Sequence, residues 1–435
     1  MEFKKMIITK LYVDNWYSFV DCELDLTYSR KISDSTISYE YLPNFENIRY
    51  KRVVILTGAN ATGKTSLAKI LVAIRSFINN KEVNHFFREG MHPDKNELVF
   101  NIEFIDKEPS TEITVKGENY YSYIHFLKVK VLLNESKERC HFHFTYKAVE
   151  IKKSDNIQKL RSLLEQLDEN FSLKGRESFY LSNYDEDYSS VRFKDALFIF
   201  NNLELSIGWN FLYNDLSDNS KFRFNESHNK EILSAVLKTF DPSIVSVNEA
   251  VEKGKSETNG FFINFYNKDK VYLSNDGIVS IDKRHLLSLG TYEAIKIASL
   301  ISSIISTKGL NGCTFFLDEG MSHVQSEIER AIIALIIEKM NKYSQFFYTT
   351  HNYDILDMNL PIHSYLFIKR DHDHNSIFIK AENHFNKNDR SIINYVKNDV
   401  LCTLPDTYLG EFKHEVRQFQ KPYDNQQAEQ ISLMV

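Results

Sequence analysis

Two hydrophobic periods divide this chain. Over residues 7–13 and 19–26 apolar and polar positions alternate, the pattern of half-buried strands, and the alternation returns at 98–104 and 119–147. Residues 28–50 are polar and irregular and predict a loop. Residues 52–57 (RVVILT) form a short apolar run of the kind that lies buried on both faces of a parallel sheet. Directly after a glycine-bounded loop, Leu67, Ile70, Leu71, Ile74, Phe77 and Ile78 fall on one stripe at helical spacing. Residues 155–170 predict a charged helix, with 152–161 as a solvated face. Residues 261–282 predict strands and 292–306 a helix apolar nearly all round. The apolar runs 314–317, 346–349 and 365–368 then recur, with a helix at 326–340 between the first two. This strand–helix–strand alternation predicts a parallel α/β sheet. No internal repeat or low-complexity tract interrupts it.

The expected layout is an N-terminal lobe at 1–150, an inserted, partly helical subdomain at 151–235 and a C-terminal lobe at 236–435. The insertion is expected because 176–230 is rich in Asn, Ser, Asp and Tyr, with mixed periods and no sustained heptads. The 435 residues suffice for about three domains. A net charge of −6 argues against a dedicated polyanion binder but leaves room for a local basic groove. Cys22, Cys140, Cys313 and Cys402 form no CxxC pair and read as scattered thiols of a reducing compartment. No run reaches the length of a membrane span and no leader is recognisable, so a cytoplasmic protein without membrane contact is expected.

Gly58-Ala59-Asn60-Ala61-Thr62-Gly63-Lys64-Thr65 matches GxxxxGK[ST] without a gap, and both flanks fit: a buried strand before, an amphipathic helix after. Glycines let backbone amides wrap phosphates, Lys64 would reach the β- and γ-phosphates of ATP, and the Thr65 hydroxyl would face Mg²⁺. Three further clusters follow. Leu287-Ser288-Leu289-Gly290-Thr291 opens the apolar helix; it reads either as a Ser-capped helix start or as a helix N-terminus presented to a phosphate. Thr314-Phe315-Phe316-Leu317-Asp318-Glu319 is an apolar strand ending in two carboxylates, suited to holding Mg²⁺ and polarising water. Phe346-Phe347-Tyr348-Thr349-Thr350-His351-Asn352 is another apolar strand, ending in a His that could contact a γ-phosphate.

The order of these four clusters resembles that of the ABC-type ATPases of the SMC, RecF, RecN and OLD kind. Within that group, residues 230–400 look most like the ATPase subunits of phage-defence and abortive-infection systems of the AbiL, PARIS and Septu type. The resemblance implies an ABC-type ATPase head with an antiparallel β lobe and a mostly parallel sheet flanked by helices. It implies that Gly58, Asn60, Gly63, Lys64, Thr65 and Ser66 cradle ATP, that Ser288 and Gly290 are the signature completing a second subunit's site, and that Asp318 holds Mg²⁺ with Thr65. It further implies that Glu319 is the catalytic carboxylate and His351 the switch histidine, so Lys64, Glu319 and His351 carry the chemistry. Gly320-Met321-Ser322-His323 occupies the D-loop region, and Asn15-Trp16-Tyr17-Ser18-Phe19 stands where relatives often carry Asn-Phe-Arg-Ser-Phe. Residues 90–130 contain no glutamine for a Q-loop.

The expected function is ATP hydrolysis at composite sites in a homodimer or higher homo-oligomer, in a sensor or regulatory subunit of antiphage defence. With 84 positions after His351, an effector such as a nuclease or toxin is expected on a separate chain. The alternative is a RecF- or SMC-like DNA-repair or chromosome-maintenance ATPase acting on DNA. Asp371-His372-Asp373-His374 has metal-like composition, but neighbours in a tight turn point apart, and a solvated hairpin turn explains it.

Overall fold

The computed structural model describes all residues except 1–5, 30–34, 81–84, 93, 107–121, 134–138, 172, 184–190, 193–208, 210, 216–228, 252–257, 276, 307–311, 386–391, 402, 404–410 and 420–435. Strands β1 (Ile7–Asp14) and β2 (Cys22–Asp25) come first. The hairpin β3 (Tyr41–Leu42) and β4 (Phe45–Arg49) follows, where the sequence predicted only loop; its pairs are short and irregular, too few to show a period. Then come β5 (Val53–Thr57), α1 (Lys64–Asn80) and α2 (His85–Gly90). Next are the long strands β6 (Glu97–Asp106), β7 (Tyr123–Leu133) and β8 (Arg139–Glu150), helix α3 (Ile157–Gln166), and β9 (Ser178–Asn183), β10 (Val191–Arg192) and β11 (Phe211–Asp215). The C-terminal half holds α4 (Lys230–Phe240), β12 (Ile244–Val251), β13 (Thr258–Phe265), β14 (Lys270–Ser274), α5 (Leu289–Ser306), β15 (Thr314–Asp318), α6 (Ser326–Lys339), β16 (Gln345–Thr350), β17 (Tyr365–Arg370) and β18 (Ser376–Lys380).

The fold is mixed α/β. Among the described residues, a six-stranded sheet runs β11-β15-β16-β5-β17-β18, parallel except for its last pair. An antiparallel lobe runs β10-β8-β7-β6-β1-β2, with β9 also on β8, and a small antiparallel sheet runs β12-β13-β14. The described parts of 151–235 join these sheets. β9 extends the antiparallel lobe, and β11 is the edge strand of the parallel sheet beside β15. The remainder of the expected insertion, 184–190, 193–208, 210 and 216–228, lies outside the described residues.

Alternation explains the two cores. Val54 and Leu56 of β5 point into a core shared with α1 and the antiparallel lobe, while Val53 and Ile55 point into one shared with α5, α6 and the small sheet. Strands buried on both faces favour apolar residues, and β5, β15 and β16 are buried at every position with polar residues only at or next to their ends. Gln345 joins the lobes. Its Oε1 accepts from the Ile8 amide at 2.7 Å, and its Nε2 donates to the carbonyls of Ile8 and Lys51 at 2.9 and 3.0 Å.

Of the charged residues in 152–161, Lys152, Lys153 and Lys159 are exposed, matching the expected solvated face, but Asp155 and Arg161 depart from it. Helix α3 starts at Ile157 behind the Asn156 cap, and Arg161 turns inward to an ion cluster. It bonds both oxygens of Asp25 at 3.1 Å and reaches Glu103 at 2.9 Å, while Thr9 Oγ1 donates to Glu103 at 2.8 Å. A charge run counts charges but not their partners, so this cluster had no sequence signature. Among the described residues no helix is long and apolar enough to cross a membrane.

Candidate functional site

The parallel strands all end on one edge, where open α/β sheets bind ligands. β5 runs into Gly58, β15 ends at Asp318, and β16 delivers His351. Register pairs Asp318 with Thr349 and Thr350 with Thr57, so three chain segments reach this edge together.

The 58–65 loop is shaped by tight packing. A Cβ on Gly58 would stand 2.3 Å from the Ile368 carbonyl oxygen, so no side chain fits. Gly63 adopts φ +113°, and a Cβ there would crowd Ser376 and Phe19. Ala61 takes φ 59°, held where the Arg370 guanidinium donates to its carbonyl at 3.0 and 2.5 Å. Ser376 Oγ donates to the Thr62 carbonyl at 2.5 Å, and Trp16 Nε1 donates to the Ser66 carbonyl at 3.0 Å. Asn60 is exposed at the loop crest, and Thr65 and Ser66 are half-buried in the first turn of α1.

Lys64 is the buried charge of the site. Its Nζ donates to the carbonyls of Gly58 and Ala59, both at 3.0 Å, and lies 3.6 Å from Glu319 Oε1. Burial pushes its pKa down, against the pull of Glu319 and Asp318. His351 Nε2 meets the same Glu319 oxygen at 2.7 Å. This bond from His351, reinforced by the Lys64 ammonium, outweighs burial and leaves the Glu319 carboxyl below its ordinary value. Glu319 itself sits at φ 48°, a left-handed backbone costly for a side-chain-bearing residue. Its amide donates to the Thr349 hydroxyl at 2.9 Å, and Thr349 in turn donates to buried Asp318 at 2.5 Å.

The expected site residues thus divide. Lys64, Glu319 and His351 come together, with Asp318 behind them. Ser288 and Gly290 stand apart, on the first turn of α5. Ser288 accepts from the Thr291 amide at 3.0 Å and shares a 2.6 Å hydroxyl bond with Thr291. This is the capping arrangement weighed as one reading of that motif. Ser288 and Leu289 remain exposed. A Cβ on Gly290 would come within 3.0 Å of the His323 carbonyl oxygen, and His323 Nδ1 meets Glu293 of α5 at 2.6 Å, so the 320–323 loop is tied to the start of α5.

Sequence reasoning missed the loop's braces, Arg370, Ser376 and Trp16, and missed β11, whose end pairs in register with Asp318. Arg370 and Ser376 flank the Asp371–His374 stretch, whose Asp371 Oδ1 accepts from the amides of Asp373 and Asn375 as a hairpin turn. Only their reach across more than 300 positions reveals them.

The donor set fits a magnesium-bound triphosphate: a buried ammonium, the amides at a helix's first turn, the Thr65 hydroxyl and the Asp318 carboxylate. No group of three or more His, Cys, Asp or Glu among the described residues could hold a metal ion, and Mg²⁺ commonly takes one or two protein oxygens plus substrate phosphates.

Three solved structures are similar to the chain over most of their length. An SMC head bound to the C-winged helix domain of ScpA is 12% identical, with TM-score 0.39, covering 87% of this chain and 100% of that one. The SMC head domain from Thermotoga maritima is 14% identical, with TM-score 0.34, covering 86% and 98%. The recombination mediator RecF is 10% identical, with TM-score 0.36, covering 87% and 100%. Among curated proteins, none matches the sequence. One protein family does match, over residues 53–357, a span that begins at β5 and runs past His351. The chain therefore belongs to the family described as AAA domain, putative AbiEii toxin, Type IV TA system.

Proposed function

We propose that this protein is an ABC-type ATPase that binds ATP with Mg²⁺ and hydrolyses it. The observation that carries this reading is the convergence of Lys64, Glu319 and His351 on one ion-paired cluster at the end of the parallel sheet. Glu319 occupies the phosphate side of Lys64 as an anionic stand-in. A γ-phosphate arriving there would take over the Lys64 ammonium and free Glu319 to orient a water and receive its proton. Thr65 and Asp318 would hold Mg²⁺, which neutralises developing charge on the phosphates. His351 would bond the carboxylate in one state and the γ-phosphate in the other.

Glu319→Gln tests it. The amide keeps the shape and removes the proton acceptor, so steady-state turnover should fall by roughly 10²–10⁴ while ATP affinity is retained. Wild-type turnover by this variant would move the catalytic role elsewhere.

Family membership supports a place in a toxin–antitoxin or abortive-infection system. In that setting this chain would be the nucleotide-driven sensor, with a separate nuclease or toxin as effector. Strong DNA affinity falling steeply with salt would instead favour repair or chromosome maintenance.

A further inference from the structure

Behind His351 lies a carboxylate that the catalytic reading does not use. Glu329 stands in the first turn of α6 and is 2% exposed. Its Oε1 accepts from Tyr348 Oη at 2.5 Å and Thr350 Oγ1 at 3.1 Å, and its Oε2 accepts from Asn352 Nδ2 at 2.7 Å. Thr350 and Asn352 are the two neighbours of His351. Each is held further: the Asn352 amide donates to Thr350 Oγ1 at 2.9 Å, and Asn352 Nδ2 also reaches Ser326 Oγ at 3.0 Å. Together these groups line a cleft of about 250 Å³ that also opens on Glu319 and His351.

We propose that Glu329 is a positioning residue for His351, gripping the residues on both sides of it so that the imidazole stays aimed at Glu319. Three donors converge on two oxygens, and only a carboxylate can accept from all three. A glutamine would present its own amide hydrogens to Asn352. Turning the Asn352 amide over would repair that contact but break the bond its Oδ1 accepts from the Asp354 amide at 3.0 Å. Burial raises the Glu329 carboxyl above its ordinary value despite the three donors, so the buried charge carries an electrostatic cost. Its place in the first turn of α6 offsets part of that cost through the helix dipole. α6 begins just beyond the 320–323 loop, so any shift of that loop and helix would reach His351 through Glu329.

The proposal rests on the ATPase reading for its kinetic arm only. Glu329→Gln should keep Mg²⁺–ATP affinity within about twofold and lower turnover about tenfold, because small misplacements of catalytic groups are costly. In a His351→Ala background the same change should cost nothing further. Equal losses in both backgrounds would overturn the proposal. A second measurement needs no turnover: the ¹³C-labelled His351 ring resonances should move in Glu329→Gln and in Asn352→Ala, in the direction seen for Glu319→Gln, which removes the carboxylate that His351 meets. Ring resonances unmoved in folded Asn352→Ala would also overturn it. A wild-type protein without turnover would defeat the ATPase reading and leave this arm to decide.

Discussion

Glu319 directly follows a fully buried strand and takes a left-handed backbone, and its side chain meets both Lys64 and His351. Strained residues persist where surrounding structure over-determines them, and here two bonds to Thr349 hold the amide. Lys64 is the loop's only side-chain cation, and its buried ammonium is held by the Gly58 and Ala59 carbonyls; under the proposed function a phosphate would share it. Lys64→Ala should therefore weaken Mg²⁺–ATP binding by about 2 kcal/mol, some thirtyfold, as expected for a lost charge-assisted bond. Isothermal calorimetry checks it, and unchanged affinity would sink the phosphate-loop assignment. These residues were legible in the sequence because their chemistry fixes their spacing. Glu329 was not, since a Glu in the first turn of a helix looks like any dipole-complementing acid until Tyr348, Thr350 and Asn352 are seen to converge on it.

Between elements, the ion cluster around Arg161 joins α3 to the antiparallel lobe. Burial would raise the Asp25 carboxyl, but bonds from Arg161 and Thr27, with Lys380 nearby, win and hold it at about 2. The ordinary value is near 4, so the folded state gains roughly 2 kcal/mol from this ionisation at neutral pH. That stabilisation is complete above about pH 4 and is lost as the pH falls towards 2. Arg161→Ala should strip Asp25 and Glu103 of their guanidinium, leaving Thr27 and Lys380 beside one and Thr9 beside the other, destabilise the protein by roughly 3 kcal/mol at pH 7, and flatten the acid limb between pH 4 and 2. Chemical denaturation across that range checks both parts; a wild-type acid limb in the variant would show that the cluster does not set it. The other elements that departed from expectation share one cause. β11 is short and bounded by polar sequence, so its period is too brief to read; it is a strand because β15 offers it an edge.

For the whole molecule, the proposed assembly turns on Ser288. Its hydroxyl caps α5 and its hydrogen bonds go to Thr291, while Lys64 is served by its own loop and Glu319. Under the proposed function, the exposed start of α5 would close over the nucleotide of a second copy, giving a two-fold pair with two shared sites. Ser288→Arg should then bind ATP normally yet turn it over at background rate, whereas Lys64→Ala should fail at binding. Mixing the two after subunit exchange should restore turnover through one intact site per mixed dimer. Exchange confirmed by mass, with no recovery, would count against shared sites. The helix cap was already one reading of this motif in the chain; only the fold shows that Thr291 Oγ1 also donates to Asp241 at 2.8 Å.

By itself the sequence determined the parallel α/β class, the glycine-bounded loop 58–65 with its strand and helix flanks, and the strand-end carboxylates and histidine. Burial on both faces forces apolar runs, and phosphate binding forces glycines and a lysine at set spacing. Tertiary structure alone decided which distant residues brace that loop. Arg370 and Ser376 hold Ala61 and Thr62 across more than 300 positions, and Trp16 reaches Ser66 across 50. It also decided that Arg161 faces inward and that Glu329 grips both neighbours of His351. Hydrogen bonds and ion pairs between distant segments impose no period on the chain. They depend on where the sheet brings those segments, so only the folded molecule displays them.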